Sequence, residues 1–264
     1  MVNVKTKKQI NILREGSKIL AAILKKIAEE VKPGVNTGYL EEMACGLIKE
    51  AGGRPSFKGY KSGQGGEPFP TALCVSVNNE VVHVPALPAR ELREGDIVGI
   101  DAGMEYPYGG EKRGYYSDMA ITAPVGKISG KARKLINVTK KSLELAIEQI
   151  KPGNTLNDIA RAAQTYVEAN GFSVVRGLVG HGVGFAVHED PQVPNFVVEK
   201  KEYDNMVLRP GMVLAVEPMV NAGSYEIKNG DDPFSILTID GQLSAHFEHT
   251  IAVTEDGCEV LTKL

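Results

Sequence analysis

The sequence predicts an α+β chain built from two similar halves, each running helix, helix, then strands. Three observations predict it. VKPGVNTGYLEEMACGLIKEAGG, starting at Val31, is echoed by IKPGNTLNDIARAAQTYVEANG from Ile150. LREGDIVGIDAG (Leu92 to Gly103) is matched by LRPGMVLAVEPM (Leu208 to Met219). Lys32 to Lys151 is a shift of 119 and Leu92 to Leu208 a shift of 116, so the offset hardly moves along the chain. The halves fall at about 5–125 and 126–260, within one domain spanning 1–264.

Each helix has its own signature. In the first, Ile10, Leu13, Leu20, Leu24, Ile27 and Val31 recur at steps that put them on one helical face. Leu135, Val138, Leu143, Ile147 and Ile150 do the same in the second half. Lys-Pro-Gly follows each run as a breaker, and the echoed stretch after it forms the next helix. The apolar runs ending at Asp101 and Glu217 read as buried strands. After each comes a second strand carrying another acid, YYSDMAITAPVG with Asp118 and AHFEHTIAVTEDG with Glu248.

Composition excludes several classes. With 264 residues, 42% hydrophobic and 24% charged, the chain has an ordinary globular balance. A net charge of -3 gives no basic footprint for nucleic acid. Cys45, Cys74 and Cys258 are odd in number, scattered and free of C-x-x-C spacing, which predicts neither a disulfide framework nor a thiolate metal site and fits a reducing cytoplasm. No run approaches the roughly 20 apolar residues of a spanning helix, so no membrane partner is expected.

A carboxylate at the end of a core strand costs several kcal/mol unless something positive meets it. Side chains alternate along strands. Asp118 therefore shares a face with Ala120 and Thr122, Glu248 with Thr250 and Ala252, Asp101 with Gly99, and Glu217 with Ala215. Small neighbours leave space beside each acid. Four acids at related positions of a duplicated unit point to one shared centre, and divalent Mn, Fe, Co or Zn are its natural counter-charges. A single ion would leave -2 on those four ligands; a pair would cancel it.

Five histidines bear on that centre. GHGVGFAVHEDP places His181 between glycines, which let the backbone approach a site closely, and His188 seven residues on. His83 follows a strand-like run and precedes a proline-rich turn. By alternation His246 shares the face of Glu248 and is a neighbour of the centre, whereas His249 points the other way and is not expected to ligate.

The motifs VKPGVNTGYLEEM, DIVGIDAG, YYSDMAIT, GHGVGFAVHEDP, LAVEPMV and SAHFEHTIAV resemble, in order and over most of residues 5–260, the type I bacterial methionine aminopeptidases. The resemblance implies the pita-bread fold: a curved, mainly antiparallel sheet with a pseudo-two-fold repeat, helices on its convex side and two divalent ions (Co, Mn, Fe or Zn) in its concavity. It implies Asp101, Asp118, His181, Glu217 and Glu248 as metal ligands, Asp118 and Glu248 bridging. Glu217 would also take the proton of the attacking water that bridges the ions. His188 and His83 would contact the peptide group.

The implied activity is hydrolytic removal of N-terminal methionine from nascent proteins, with a small second residue preferred. The implied partners are nascent N-termini and the ribosome, and the implied state is a cytoplasmic monomer. Tyr60, Phe69 and Cys74 match the methionine pocket, and Val187 stands where a phenylalanine is usual. YKSGQGGEPFP and the stretch from Asp101 to Asp118 are longer than the family's usual segments and are expected to alter the mouth. An Xaa-Pro peptidase of the same fold generally carries an added N-terminal domain for which the repeat, starting near residue 5, leaves no room. A binding homologue without catalysis is disfavoured because all five ligand-type residues are present. The second half has no long insertion, and no zinc-binding extension precedes the first, which favours type I.

Overall fold

The structure, a computed structural model, describes residues 2–61, 66–110, 114–198 and 205–263. The first half opens with α1 (Lys7–Glu29) and α2 (Thr37–Glu50), followed by strands β1 (Arg54–Pro55), β2 (Leu73–Val77), β3 (Glu80–Val82), β4 (Ile97–Tyr106) and β5 (Tyr115–Pro124). The second opens with α3 (Gly130–Ile147) and α4 (Leu156–Ala169), then β6 (Ser173–Val174), β7 (Gly180–Gly182), β8 (Glu189–Val193) and β9 (Val213–Val216). It closes with β10 (Met219–Asn221), β11 (Ile227–Asn229), β12 (Ile236–Thr238), β13 (Ser244–His246), β14 (Glu248–Val253) and β15 (Cys258–Val260).

Helix starts follow the capping chemistry. Thr6 caps α1 in a reciprocal box with Gln9, whose side chain accepts the Thr6 backbone N–H at 2.7 Å. Asn36 Oδ1 caps α2 by accepting the Tyr39 N–H at 2.9 Å. Both helices expected from the apolar spacing form, and Leu13, Leu20, Leu24 and Ile27 of α1 and Leu135, Val138 and Leu143 of α3 are buried. The Lys-Pro-Gly breakers lie just past each helix end. Gly34 (φ +87) and Gly153 (φ +91) there take a left-handed conformation that a residue with a Cβ resists.

Among the described residues the main sheet has nine strands, ordered β1-β4-β5-β14-β9-β7-β8, with β2 also paired to β4 and β15 to β14, all antiparallel. One face of this sheet is apolar and carries the helices. In the first half Leu20, Leu24, Leu40 and Ile48 pack on Val75, Val98, Ile100 and Ala102. In the second, Leu143, Ile159 and Ala163 pack on Leu214, Val216, Ile251 and Val253. Each such fully buried Leu or Ile contributes roughly 1.5–3 kcal/mol. Since side chains alternate, the residues between these, Asp101 and Glu248 among them, point to the opposite face, where Ala215 packs with Leu13 from the start of α1.

Candidate metal centre

The strand register assembles the acids. Asp101 on β4 pairs with Ala120 on β5, and Ala120 pairs in turn with Glu248 on β14. His249 pairs with Val216, so Glu248 and Glu217 are the next residues on their two strands. Asp118 lies two residues from Ala120 and therefore on the same face. His181 pairs with Ala215, two residues before Glu217. Both halves thus deliver side chains to one spot at their seam.

Approach to that spot is close. A Cβ on Gly180 would run into the carbonyl oxygen of Ala215, and one on Gly182 into that of Asp190, so the glycines flanking His181 are what let it sit there. Atoms of Asp118, His181 and Glu248 capable of ligation all lie within 4.8 Å of one another. Asp101 Oδ1, Glu248 Oε1 and His246 Nε2 are buried with no hydrogen-bond partner.

Electrostatics make the cluster untenable as four bare anions. Burial, then repulsion from Glu217, lifts the Asp101 pKa to about 8. Burial first and neighbouring acids second push Asp118, Glu217 and Glu248 well above the carboxylate range. His181 donates its Nδ1 hydrogen to the Gly182 carbonyl, 2.9 Å away, because a carbonyl can only accept. Its Nε2 lone pair therefore faces the acids, 3.5 Å from Glu217 Oε1, and burial holds the ring neutral with a pKa of about 3. A lone pair aimed at a carboxylate calls for a cation between them, and this second-site hydrogen bond is the arrangement metal-ligating histidines adopt. The residues present fit a hard or borderline divalent ion.

The other histidines divide as alternation predicts. His246 Nε2 lies 3.6 Å from Glu217 Oε2, whereas His249 turns away and meets Thr262 Oγ1 at 2.9 Å. His83 and His188 line the cavities above the acids. His83 holds a left-handed backbone (φ 61) unusual outside glycine, a strain of the kind that clusters at functional sites. The His188 ring opens onto the cavity but is walled by protein on its other sides, and burial lowers its pKa. Its Nδ1 is 2.7 Å from Tyr60 Oη, and its ring stands edge-on to His181 at 4.4 Å.

Two cavities meet at these histidines. One, of about 350 Å³, has the acids as its floor and Phe57, Tyr60, Phe69, Cys74 and Phe234 as an apolar wall. The second, of about 480 Å³, shares His83, His181, His188 and Glu217 and runs outward past Val179 and Gln192.

A sequence profile of metallopeptidase family M24 matches residues 11–255. The chain belongs to this family. Among M24 relatives, methionine aminopeptidase 1 of Bacillus subtilis is 45% identical over 265 residues, covering 100% of both chains. The crystal structure of methionine aminopeptidase from Thermotoga maritima superposes with a TM-score of 0.90 at 39% identity over 100% of both chains. A prolidase from Pyrococcus furiosus shares the architecture at a TM-score of 0.74 and 25% identity, matching 99% of this chain but 65% of its own. The curled sheet with its helices is thus the pita-bread fold of M24 proteins.

Sequence reasoning had not singled out Phe57 and Phe234. Phe57 sits three residues before Tyr60, a proximity that could have flagged it; Phe234 arrives from the loop before β12 and carries no pattern. It meets Phe69 edge-on at 5.3 Å. Val187 packs with these aromatics but lies behind the wall, outside the cavity lining. The two long segments differ. Residues 62–65 of the first are outside the described residues, and Glu67 after them lines the cavity. Residues 111–113 of the second are likewise outside, and no described residue from 102 to 117 lines either cavity. That segment turns toward the helices instead: Tyr108 N–H donates to the Gly52 carbonyl and Tyr106 Oη donates to Glu15. The stretch thus lines neither cavity, and only its end backs the site: Tyr116 packs against the cluster of Phe57, Phe69, Cys74 and Val187 and donates its N–H to the Gly184 carbonyl at 2.8 Å.

Proposed function

We propose that the chain is a metal-dependent aminopeptidase that removes N-terminal methionine from chains with a small second residue. The observation that carries the reading is the His181 lone pair aimed into four buried acids contributed by both halves. Full-length relatives that bear the name methionine aminopeptidase support it.

In this reading Asp101, Asp118, His181, Glu217 and Glu248 would hold two divalent ions, drawn from Co, Mn, Fe or Zn. When bound, the ions supply positive charge to the acids, Lewis acidity toward the peptide carbonyl and a lowered pKa for water. Glu217 would take the proton of the attacking water, since the positive charge at the centre would keep its buried carboxylate ionised and able to accept it. Tyr60 keeps its phenolic proton, since burial raises its pKa, and donates it to His188 Nδ1. His188 Nε2–H is then free to donate to the developing oxyanion. His83, which lines the same cavities, would also contact the peptide group. Tyr60, Phe69 and Cys74, joined by Phe57 and Phe234, receive the methionine side chain, and Val187 shapes that wall from behind.

The whole chain acts as one catalytic unit, a cytoplasmic monomer that meets nascent N-termini at the ribosome. No described helix is long and apolar enough to cross a membrane. The test is turnover of Met-Ala-Ser against Xaa-Pro peptides by demetallated protein supplied in turn with Mn, Fe, Co and Zn. Faster cleavage of the proline peptides would replace this reading with a prolidase-type activity.

A further inference from the structure

The residue after His188 has a separate set of contacts. Glu189 is 4% exposed in its side chain and accepts four donors. Its Oε1 takes the backbone N–H groups of Phe185 and of Ala186, the latter at 3.0 Å. Its Oε2 takes Lys5 Nζ at 2.9 Å and Asn3 Nδ2 at 2.7 Å. One carboxylate therefore folds the turn 184–189 onto itself and ties it to a segment 184 positions away in sequence.

That segment is seated deeply. The Lys5 side chain is 1% exposed, lies 5.2 Å over the Phe185 ring and also donates to the Asn3 carbonyl at 3.3 Å. Its backbone N–H donates to the Gly211 carbonyl at 2.7 Å. Two glycines make room for it. A Cβ on Gly184 (φ +131) would meet Lys5 Cε at 2.8 Å, and one on Gly211 would meet Val4 Cγ1 at 2.6 Å.

We infer that Lys5 is a positioning residue for the reaction: through Glu189 it fixes the 184–189 turn and so the orientation of the His188 ring. Lys5 lines neither cavity. Its influence passes through the carboxylate of Glu189, one peptide bond from His188. Removing the ammonium leaves that carboxylate buried beside fewer donors, and the turn relaxes to rehydrate it. The His188 ring then loses its fixed distance to Tyr60 Oη, and a displacement of about 1 Å at such a group can cost on the order of 100-fold in rate. The inference rests on the role proposed above for His188.

The test compares the parent protein with Lys5→Met, Glu189→Gln and the double variant, each loaded with Mn. Lys5→Met is expected to lower kcat on Met-Ala-Ser by roughly 10- to 100-fold, with KM and metal affinity within about 3-fold of the parent. Amide hydrogen exchange at Phe185 and Ala186 should accelerate. The double variant should match the weaker single one, because both act through one contact. Unchanged kcat in Lys5→Met, loss of metal along with kcat, or multiplying effects in the double variant would each overturn the inference. If Lys5→Met does not fold, Glu189→Gln carries the same readings. If the parent cleaves no peptide, the proposed function falls, and exchange at Phe185 and Ala186 alone decides whether Lys5 fixes the turn.

Discussion

Gly34 donates its N–H to the Leu92 carbonyl at 2.9 Å, and in the second half Gly153 does the same to Leu208 at 3.2 Å. Leu92 and Leu208 return the bond, to Val35 and Asn154, both at 2.8 Å. Gly95 to Val125 and Gly211 to Val253 form another matched pair. The side chains set on this repeated backbone diverge. Beside Asp101 the neighbouring strand offers Cys74, whose thiol is pushed well up by burial and the surrounding acids and so stays protonated. Opposite Ala215 the neighbouring strand offers His181, with a nitrogen lone pair at neutral pH, where the first half, opposite the matching Gly99, has Ser76. The first half contributes oxygen alone, the second oxygen and imidazole. Duplication accounts for the shape of the centre; divergence at a few positions gives the two halves unequal donor chemistry.

That comparison can be broken from either side. Asp118 belongs to the first half but lies within ligating range of Glu248 and His181 from the second, so Asp118→Asn should have the largest effect. Metal affinity measured calorimetrically is expected to fall by about 100-fold or more, and peptide turnover with it. His181→Ala should cost one ion and leave the other, read as stoichiometry by metal analysis, whereas Cys74→Ser should keep both. Equal losses in these two variants would erase the distinction between the halves. His188→Ala should retain the ions while kcat drops by about 100-fold, a few kcal/mol of barrier.

The smallest effect is a pH slope in the stability of the metal-free protein. Asp101 has a folded pKa of about 8, above its unfolded value of 3.8. The folded state thus binds the extra proton, and the stability it contributes is lost as pH rises toward 8. His181 and His246, with folded values of about 3, gain protons only on unfolding below about 6.5 and slope the other way there. Between pH 6.5 and 8 the acids act alone, so the melting temperature of metal-free protein should fall with rising pH, and added Mn should reverse the trend. A rising melting temperature across that window would contradict the raised carboxyl pKa values.

Much of this was legible in the sequence because two regularities carry it. A nearly constant offset aligned Asp101 with Glu217 and pointed the four acids to one centre, and the two-residue period of strands gave each acid small neighbours on its own face and turned His249 away from Glu248. What lay beyond reach depends on contacts that leave no period. Phe234 enters from a loop, Val187 sits one residue from His188 yet behind the wall, and the long β4–β5 connection bends to the helix side through single hydrogen bonds at Tyr108 and Tyr106. Lys5 and Glu189 are paired only because the chain returns after 184 residues.

The central claim is that acids from both halves jointly hold a pair of ions. Counting Mn bound per chain to demetallated parent, Asp101→Asn and Glu217→Gln tests it most directly. The account predicts two ions for the parent and no more than one for each variant. A parent that binds none, or a centre indifferent to the substitution in one half, would contradict it.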